Sequence, residues 1–503
     1  MATPASTTAV DLGTLESHLW EAANILRGPV DASDFKTFIF PLLFFKRVSD
    51  VYDEEYQQAL QESDGDVAYA QFAENHRFQI PEGCRWQDVR SKTTNVGQAI
   101  QRSMREIEKS NPNTLYSIFG DTPWSNKDRL SDALLRDLIE HFSRVSLANR
   151  DINDDILGQA YEYLIKKFAD QTNRKAGEFY TPRSVVRLMV NILDPKEGET
   201  IYDPTCGTAG MLLGAIQHVK EAGGNVRKLW GKLYGQEKNL TTSAIARINL
   251  FLHGIEDFQI VRGDTLRDPA FFTGDSLATF DCVIANEPFS VERWGEDMWV
   301  NDRYGRNFAG VPPRSSADYA FVQHMLKSMS SGTGRMAVVL PHGVLFRMGV
   351  EGKIRRTILE MDKLEAVIGL GPNLFYGTGL AACILVFRAR KKPDRRNRLL
   401  IVDASAAFKK GRNQNALLPE HVDQIFGWYR AYKNVEGVAK IVTLEQIAAN
   451  DWNLNIPRYV ERVSDQDTVT VQEAVGNLKL ALEDAYAAED KLKSLLKREG
   501  LLA

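Results

Sequence analysis

Asn286, Glu287, Pro288 and Phe289 follow an apolar run, residues 280–285 (FDCVIA), that reads as a strand. An amide, a stiff proline turn and an aromatic ring at the tip of a strand suit one chemical task. The exocyclic amine of an aromatic base is a poor nucleophile because its lone pair is delocalised into the ring. Two acceptors, the Asn286 side chain and the backbone carbonyl of Glu287, can take both N–H bonds and draw the nitrogen toward tetrahedral geometry. Phe289 offers a flipped base a stacking face. Upstream, residues 203–210 (DPTCGTAG) follow a strand ending at Tyr202 and open a helix. Gly207 and Gly210 let the backbone turn tightly and approach a ligand, and the helix N-terminus offers free N–H groups. This is neither the dinucleotide GxGxxG nor a P-loop, and the acid ahead of the glycines, Asp203, suits a ligand with an ammonium group and a positive centre.

Two further acids stand at strand ends. Glu237 closes KLYGQE, where a ribose diol is commonly held, and Asp264 follows FQIVR. Either in isolation reads as a helix or turn cap. Cys84, Cys206, Cys282 and Cys383 show no metal-ligand spacing, so no metal is expected.

These motifs need a scaffold. From Glu199, short apolar runs alternate with helical patterns: TIYDP, KLYGQE, FQIVRGD, FDCVIAN, RMAVVLP, LEAVIGL and ACILVFRA. Such alternation predicts an α/β fold, a parallel sheet covered by helices on both faces, with ligands beyond the carboxyl ends of the strands. Residues 12–167 carry apolar positions three and four apart and read as helical, and the polar stretch 171–178 reads as a loop. The division is 1–170, a helical N-terminal domain; 171–465, the α/β domain; and 466–503, a C-terminal helical tail. In the tail Val471, Val475, Leu478, Leu482, Ala485, Leu492 and Leu496 form a stripe suited either to other helices or to the tail's own domain.

The chain has 503 residues, 44% hydrophobic and 25% charged, with a net charge of -4. That excludes wholesale disorder and a disulfide scaffold, and it lacks the basic balance of autonomous nucleic-acid binders. The longest apolar block, FIFPLLFF (38–45), is far short of the ~20 residues of a membrane span. With no signal peptide in the opening residues, a cytoplasmic protein is expected.

The glycine turn together with N-x-P-F resembles the S-adenosylmethionine-dependent amino-methyltransferases of DNA. More narrowly, the chain resembles the modification (M) subunit of type I restriction–modification systems. LWEAANILRGPVDASDFKTFIFPLLFFKRVSD (19–50), GEFYTPRSVVRLMV (177–190), AGVPPRSSADYAFVQH (309–324) and WNLNIPRYV (452–460) carry the likeness over nearly the whole chain. It implies a Rossmann-like S-adenosylmethionine-dependent methyltransferase domain and methyl transfer to N6 of a flipped adenine, with no metal. Glu178, Phe179, Tyr180, Thr181, Pro182 and Arg183 match the segment that contacts S-adenosylmethionine opposite the glycine loop. Asp203, Thr208, Ala209 and Gly210 match the loop, and Glu237 the ribose-binding acid. Asp264 is placed near the adenine or target site by position. Asn286, Glu287, Pro288 and Phe289 match the catalytic tetrapeptide.

One departure stands out. The family's usual N-P-P-F has Glu287 in place of its first proline. The backbone carbonyl survives, while a carboxylate is expected beside a site for a neutral base and a cationic cofactor. Activity is expected to be retained, weakened or not. The resemblance also implies partners: double-stranded DNA, a specificity (S) subunit embraced by two M chains, and a restriction (R) subunit. Two other readings use the same motifs: a catalytically weakened architectural subunit, and a protein glutamine methyltransferase. Arg293, Arg303, Arg306 and Arg314, interleaved with Trp294, Trp299, Tyr304 and Phe308, suit either DNA contact or a self-packed lid. The basic run 388–398 (RARKKPDRRNR) reads as a solvated loop, with phosphate contact as the lesser alternative.

Overall fold

The computed structural model describes residues 11–171, 181–375, 378–412, 414–461 and 471–499. It divides into two compact units, residues 1–460 and 461–503. Among the described residues no helix is long and apolar enough to cross a membrane.

The larger unit is built on one nine-stranded sheet. Its strands are β1 (Ile201–Asp203), β2 (Leu233–Glu237), β3 (Gln259–Arg262), β4 (Cys282–Asn286), β5 (Arg335–Pro341), β6 (Leu364–Leu370), β7 (Ala382–Arg388), β8 (Arg398–Ala404) and β9 (Ala439–Thr443). They lie in the order β9-β8-β6-β7-β5-β4-β1-β2-β3. All seven expected runs form strands, and five pairings are parallel. The sheet is nevertheless mixed, not parallel throughout. β7 lies antiparallel between β5 and β6, and β9 antiparallel to β8. The reason is local: no helix occurs among the described residues between β6 and β7, and a parallel return needs a crossover.

Alternate side chains of one strand face opposite layers. Along β5, Ala337 and Val339 join the core beneath α1 (Arg183–Leu193) and α2 (Gly210–Glu221), while Met336, Val338 and Leu340 join the core beneath Asp318–Lys327. Strands buried on both faces read as continuous apolar runs, which is why RMAVVLP and ACILVFRA stand out in the sequence.

The helical N-terminal region folds around Phe35–Glu62, whose FIFPLLFF stretch is buried on every side. Its core does not stop at residue 170. Ile245, Ile248, Phe251 and Leu252 of α3 (Leu240–Leu252) belong to it, whereas Ala246 and Leu250 of the same helix face the sheet. One helix thus serves two cores. In the smaller unit, helix Val471–Arg498 leaves Val475, Leu478, Leu482 and Leu492 exposed.

The run 388–398 is solvated only in part: Arg390, Lys392, Arg396 and Arg398 are exposed as expected, and three other cations turn inward. Arg388 and Arg395 both bind the Glu365 carboxylate, and Lys391 is buried against Asp362 at 2.6 Å. These cations tie the ends of β6, β7 and β8 together, so their charge is spent inside the protein.

Candidate active site

The glycine turn begins where β1 ends. Asp203 is buried, and its Oδ1 accepts from the Thr205 N–H at 3.0 Å. Burial, reinforced by the nearby Glu237 carboxylate, pushes its pKa up to about 8. Gly207 adopts φ +53° and its N–H donates to Glu237 Oε2 at 3.1 Å. The Asn239 N–H donates to Oε1 of the same carboxylate at 2.8 Å, so Glu237 ties the tip of β2 to the turn. The left-handed residue at the head of α2 is Ala209, φ +67°, and not Gly210. Gly210 contributes differently: a Cβ added there would meet no atom within 4 Å, because bare backbone faces open space. Asn249, buried in α3, donates from Nδ2 to the Thr208 carbonyl at 2.8 Å and pins the turn from behind.

That space is a cleft of about 690 Å³. Thr181, Arg183, Asp203, Thr208, Gly210 and Asn286 are on its wall, from both expected motifs. Glu162 and Asp155 reach it from the last N-terminal helix, Glu162 paired with Arg183 and Asp155 with Lys220. Pro182 caps α1 at the cleft's edge.

At the tip of β4, Asn286 donates from Nδ2 to Thr181 Oγ1 at 2.9 Å. Its Oδ1 is buried and has no hydrogen-bond partner among the described residues. The Thr205 hydroxyl reaches the Asn286 backbone oxygen at 3.5 Å, linking the two motifs directly. Phe289 is half-buried, edge-on to Phe375 with ring centroids 6.0 Å apart. The turn is locked at its exit by residues to which the sequence assigned no role. The Ser290 N–H donates to Asp318 Oδ1 at 2.8 Å, and Arg347 holds Asp318 Oδ2 at 3.0 Å.

Glu287 corrects the expectation of a carboxylate beside the reacting groups. Its side chain is wholly buried, with neither oxygen hydrogen-bonded among the described residues. Burial first, then Asp203 and Asp318, push its pKa well above the usual carboxyl range, which favours its neutral form. Only its backbone is left for the site.

Of the remaining expected residues, Asp264 is a turn cap, accepting from the Leu266 N–H at 3.1 Å and pairing with Lys238 at 2.9 Å. It does not line the cleft. Glu178, Phe179 and Tyr180 lie outside the described residues. Burial pushes the Cys282 thiol up to about 12 and Cys206 well above its ordinary value, which unsuits both as nucleophiles. In the cation-and-aromatic stretch, Trp294 and Trp299 pack on each other and Arg306 is buried against Asp302 and Trp299. Arg293, Arg303 and Arg314 are exposed.

The family model for N-6 DNA methylases matches residues 152–468, and that for the HsdM N-terminal domain matches residues 15–142. The chain is 31% identical to the type I restriction enzyme MjaVII methylase subunit of Methanocaldococcus jannaschii, over 94% of this chain and 81% of that one. It is 26% identical to the MpnII methylase subunit of Mycoplasma pneumoniae, over 96% and 95%. Its fold is similar to that of the type I restriction-modification methyltransferase subunit from Streptococcus thermophilus, with TM-score 0.76, 29% identity and coverage of 90% and 100%. The chain therefore belongs to the N-6 DNA methylases, among the methylase (M) subunits of type I restriction–modification systems, S-adenosylmethionine-dependent adenine-N6 DNA methyltransferases whose target sequence a separate specificity subunit reads.

Proposed function

We propose that methyl transfer takes place at the turn formed by Asn286, Glu287, Pro288 and Phe289, beside a cofactor seated against the glycine turn. The observation that carries this reading is Asn286 itself, a residue on the wall of the cleft that Asp203 and Gly210 also line, whose side-chain oxygen is buried and without a hydrogen-bond partner among the described residues. A bare buried acceptor costs about 1–3 kcal/mol, and such groups in native proteins call for an explanation. An amine N–H is the partner that fits.

S-adenosylmethionine, when bound, supplies an electrophilic methyl group on a sulfonium centre. Thr181, Pro182, Arg183, Asp203, Thr208, Ala209 and Gly210 would hold it, with Glu178, Phe179 and Tyr180 from the segment before them. The fit rests on a buried acid facing a cation, and on bare backbone at Gly210 where a ligand can approach. Glu237 would reach the ribose from its place behind Gly207, and Asp264 would act only through the loop it caps. The protein's own part is to orient the amine. Asn286 Oδ1 and the Glu287 backbone carbonyl accept its two N–H bonds, which withdraws the lone pair from the ring. Phe289 supports the extruded base, and the Asp318–Arg347 anchor keeps the turn from relaxing between turnovers.

Two such chains with one specificity subunit would embrace the DNA, and a restriction subunit would join the larger complex. The test is transfer of labelled methyl to DNA by this chain copurified with its specificity partner. We expect N6-methyladenine in the product, a loss of about 10²–10³-fold in kcat for Asn286→Ala, and cofactor affinity close to wild type. Unlabelled DNA with cofactor still bound would overturn the reading.

A further inference from the structure

An asparagine amide has an acceptor end and a donor end of nearly the same shape. Only one orientation accepts an amine N–H; the other points N–H at N–H. Something must choose between them. Here the choice falls on Thr181, which is 105 residues away in sequence and takes the Asn286 Nδ2–H at 2.9 Å, leaving the buried Oδ1 without a partner among the described residues.

A hydroxyl can donate as well as accept, so proximity alone does not select the orientation. Thr181 also lines the cleft. If its hydrogen is engaged by an anionic group there, its oxygen can only accept, and Asn286 must offer its NH2 end. The cofactor brings a carboxylate, the anionic group required.

We propose that Thr181 is a positioning residue whose hydroxyl sets the orientation of the Asn286 amide and couples it to cofactor occupancy. It goes beyond contact with the cofactor, because it makes the acceptor end available to the adenine amine when the methyl donor is in place. It rests on the reading of Asn286 given above.

The experiment compares wild type, Thr181→Val, Thr181→Ala and Thr181→Ser, each in complex with the specificity subunit. Three quantities are read: kcat at saturating cofactor, cofactor affinity, and the ratio of DNA dissociation constants without and with S-adenosylhomocysteine. That ligand keeps the carboxylate and has no methyl to transfer, so the ratio reports coupling independently of turnover. We expect kcat of the Val variant to fall about 10²-fold at saturating cofactor, and its coupling ratio to move to near one. The Ser variant should recover most of both. The Ala variant, smaller than the native side chain, repeats the Val result free of any steric effect, and melting curves confirm that each variant is folded. A Val variant that keeps wild-type kcat at saturation, losing only cofactor affinity, would overturn the proposal, and so would a Ser variant as impaired as Val. A wild-type complex that transfers no methyl would instead bring down the underlying reading of Asn286.

Discussion

At the residue scale, buried acids set the electrostatics of this site. Burial raises the Glu287 pKa, so the group binds its proton more tightly in the folded than in the unfolded chain. Stability then declines as pH rises above the ordinary carboxyl value, by up to about 1.4 kcal/mol per pH unit, until the folded group itself ionises. Glu287→Gln has no proton to lose there. Its melting temperature should match wild type near pH 4 and exceed it by a margin that widens toward pH 8. A constant margin across that range would show that Glu287 is not a buried neutral acid. Asp203 makes a second prediction. With its pKa near 8 it is mostly protonated at pH 7, and a cationic ligand in the cleft favours its ionised form. Cofactor binding at pH 7 should therefore release up to about one proton. Calorimetry in two buffers of different ionisation enthalpy counts it, and Asp203→Asn should abolish it.

At the element scale, the site depends on how strand tips meet helix starts. β1 and β4 are adjacent and parallel, so the turns after them open on the same side of the sheet. A ligand beyond one strand thus lies beside the residues of the other. The head of α2 has to leave room for it, and Gly210 does so. Gly210→Leu should leave the melting temperature near wild type, since no protein atom opposes the new Cβ, while cofactor affinity falls by at least about tenfold. Equal affinity in the variant would mean that the cofactor lies elsewhere. Asn249 shows how an element reaches beyond its own packing. A polar residue on a buried helix face, it secures the Thr208 carbonyl and with it the curvature of the turn.

At the scale of the whole molecule, the helical region and the sheet share α3, so neither side has a complete core without the other. The smaller unit is different, because its helix exposes an apolar stripe that single-chain stability does not require. We expect a chain ending after residue 461 to fold and bind cofactor as the full chain does. Mixed with the specificity subunit, it should fail to copurify and should lose site-specific methylation. Full methylation by the shortened chain would remove the helix from subunit association.

The sequence by itself determined the family's chemistry and singled out the two turns proposed to carry it. An amide, a proline and an aromatic ring after an apolar run, and an acid and glycines after another, are local patterns, and local patterns survive without knowledge of contacts. Strands buried on both faces announce themselves for the same reason. The direction of β7, the inward turn of Arg388, Lys391 and Arg395, and the burial of Glu287 were decided only by the tertiary structure. Each depends on what lies across a sheet or inside a core, often far along the chain. Whether a charged residue meets water or a partner is a property of its surroundings, and the same holds for the Thr181–Asn286 bond. Spacing along the chain names the groups proposed to react; their protonation and orientation come from neighbours that only folding brings to them.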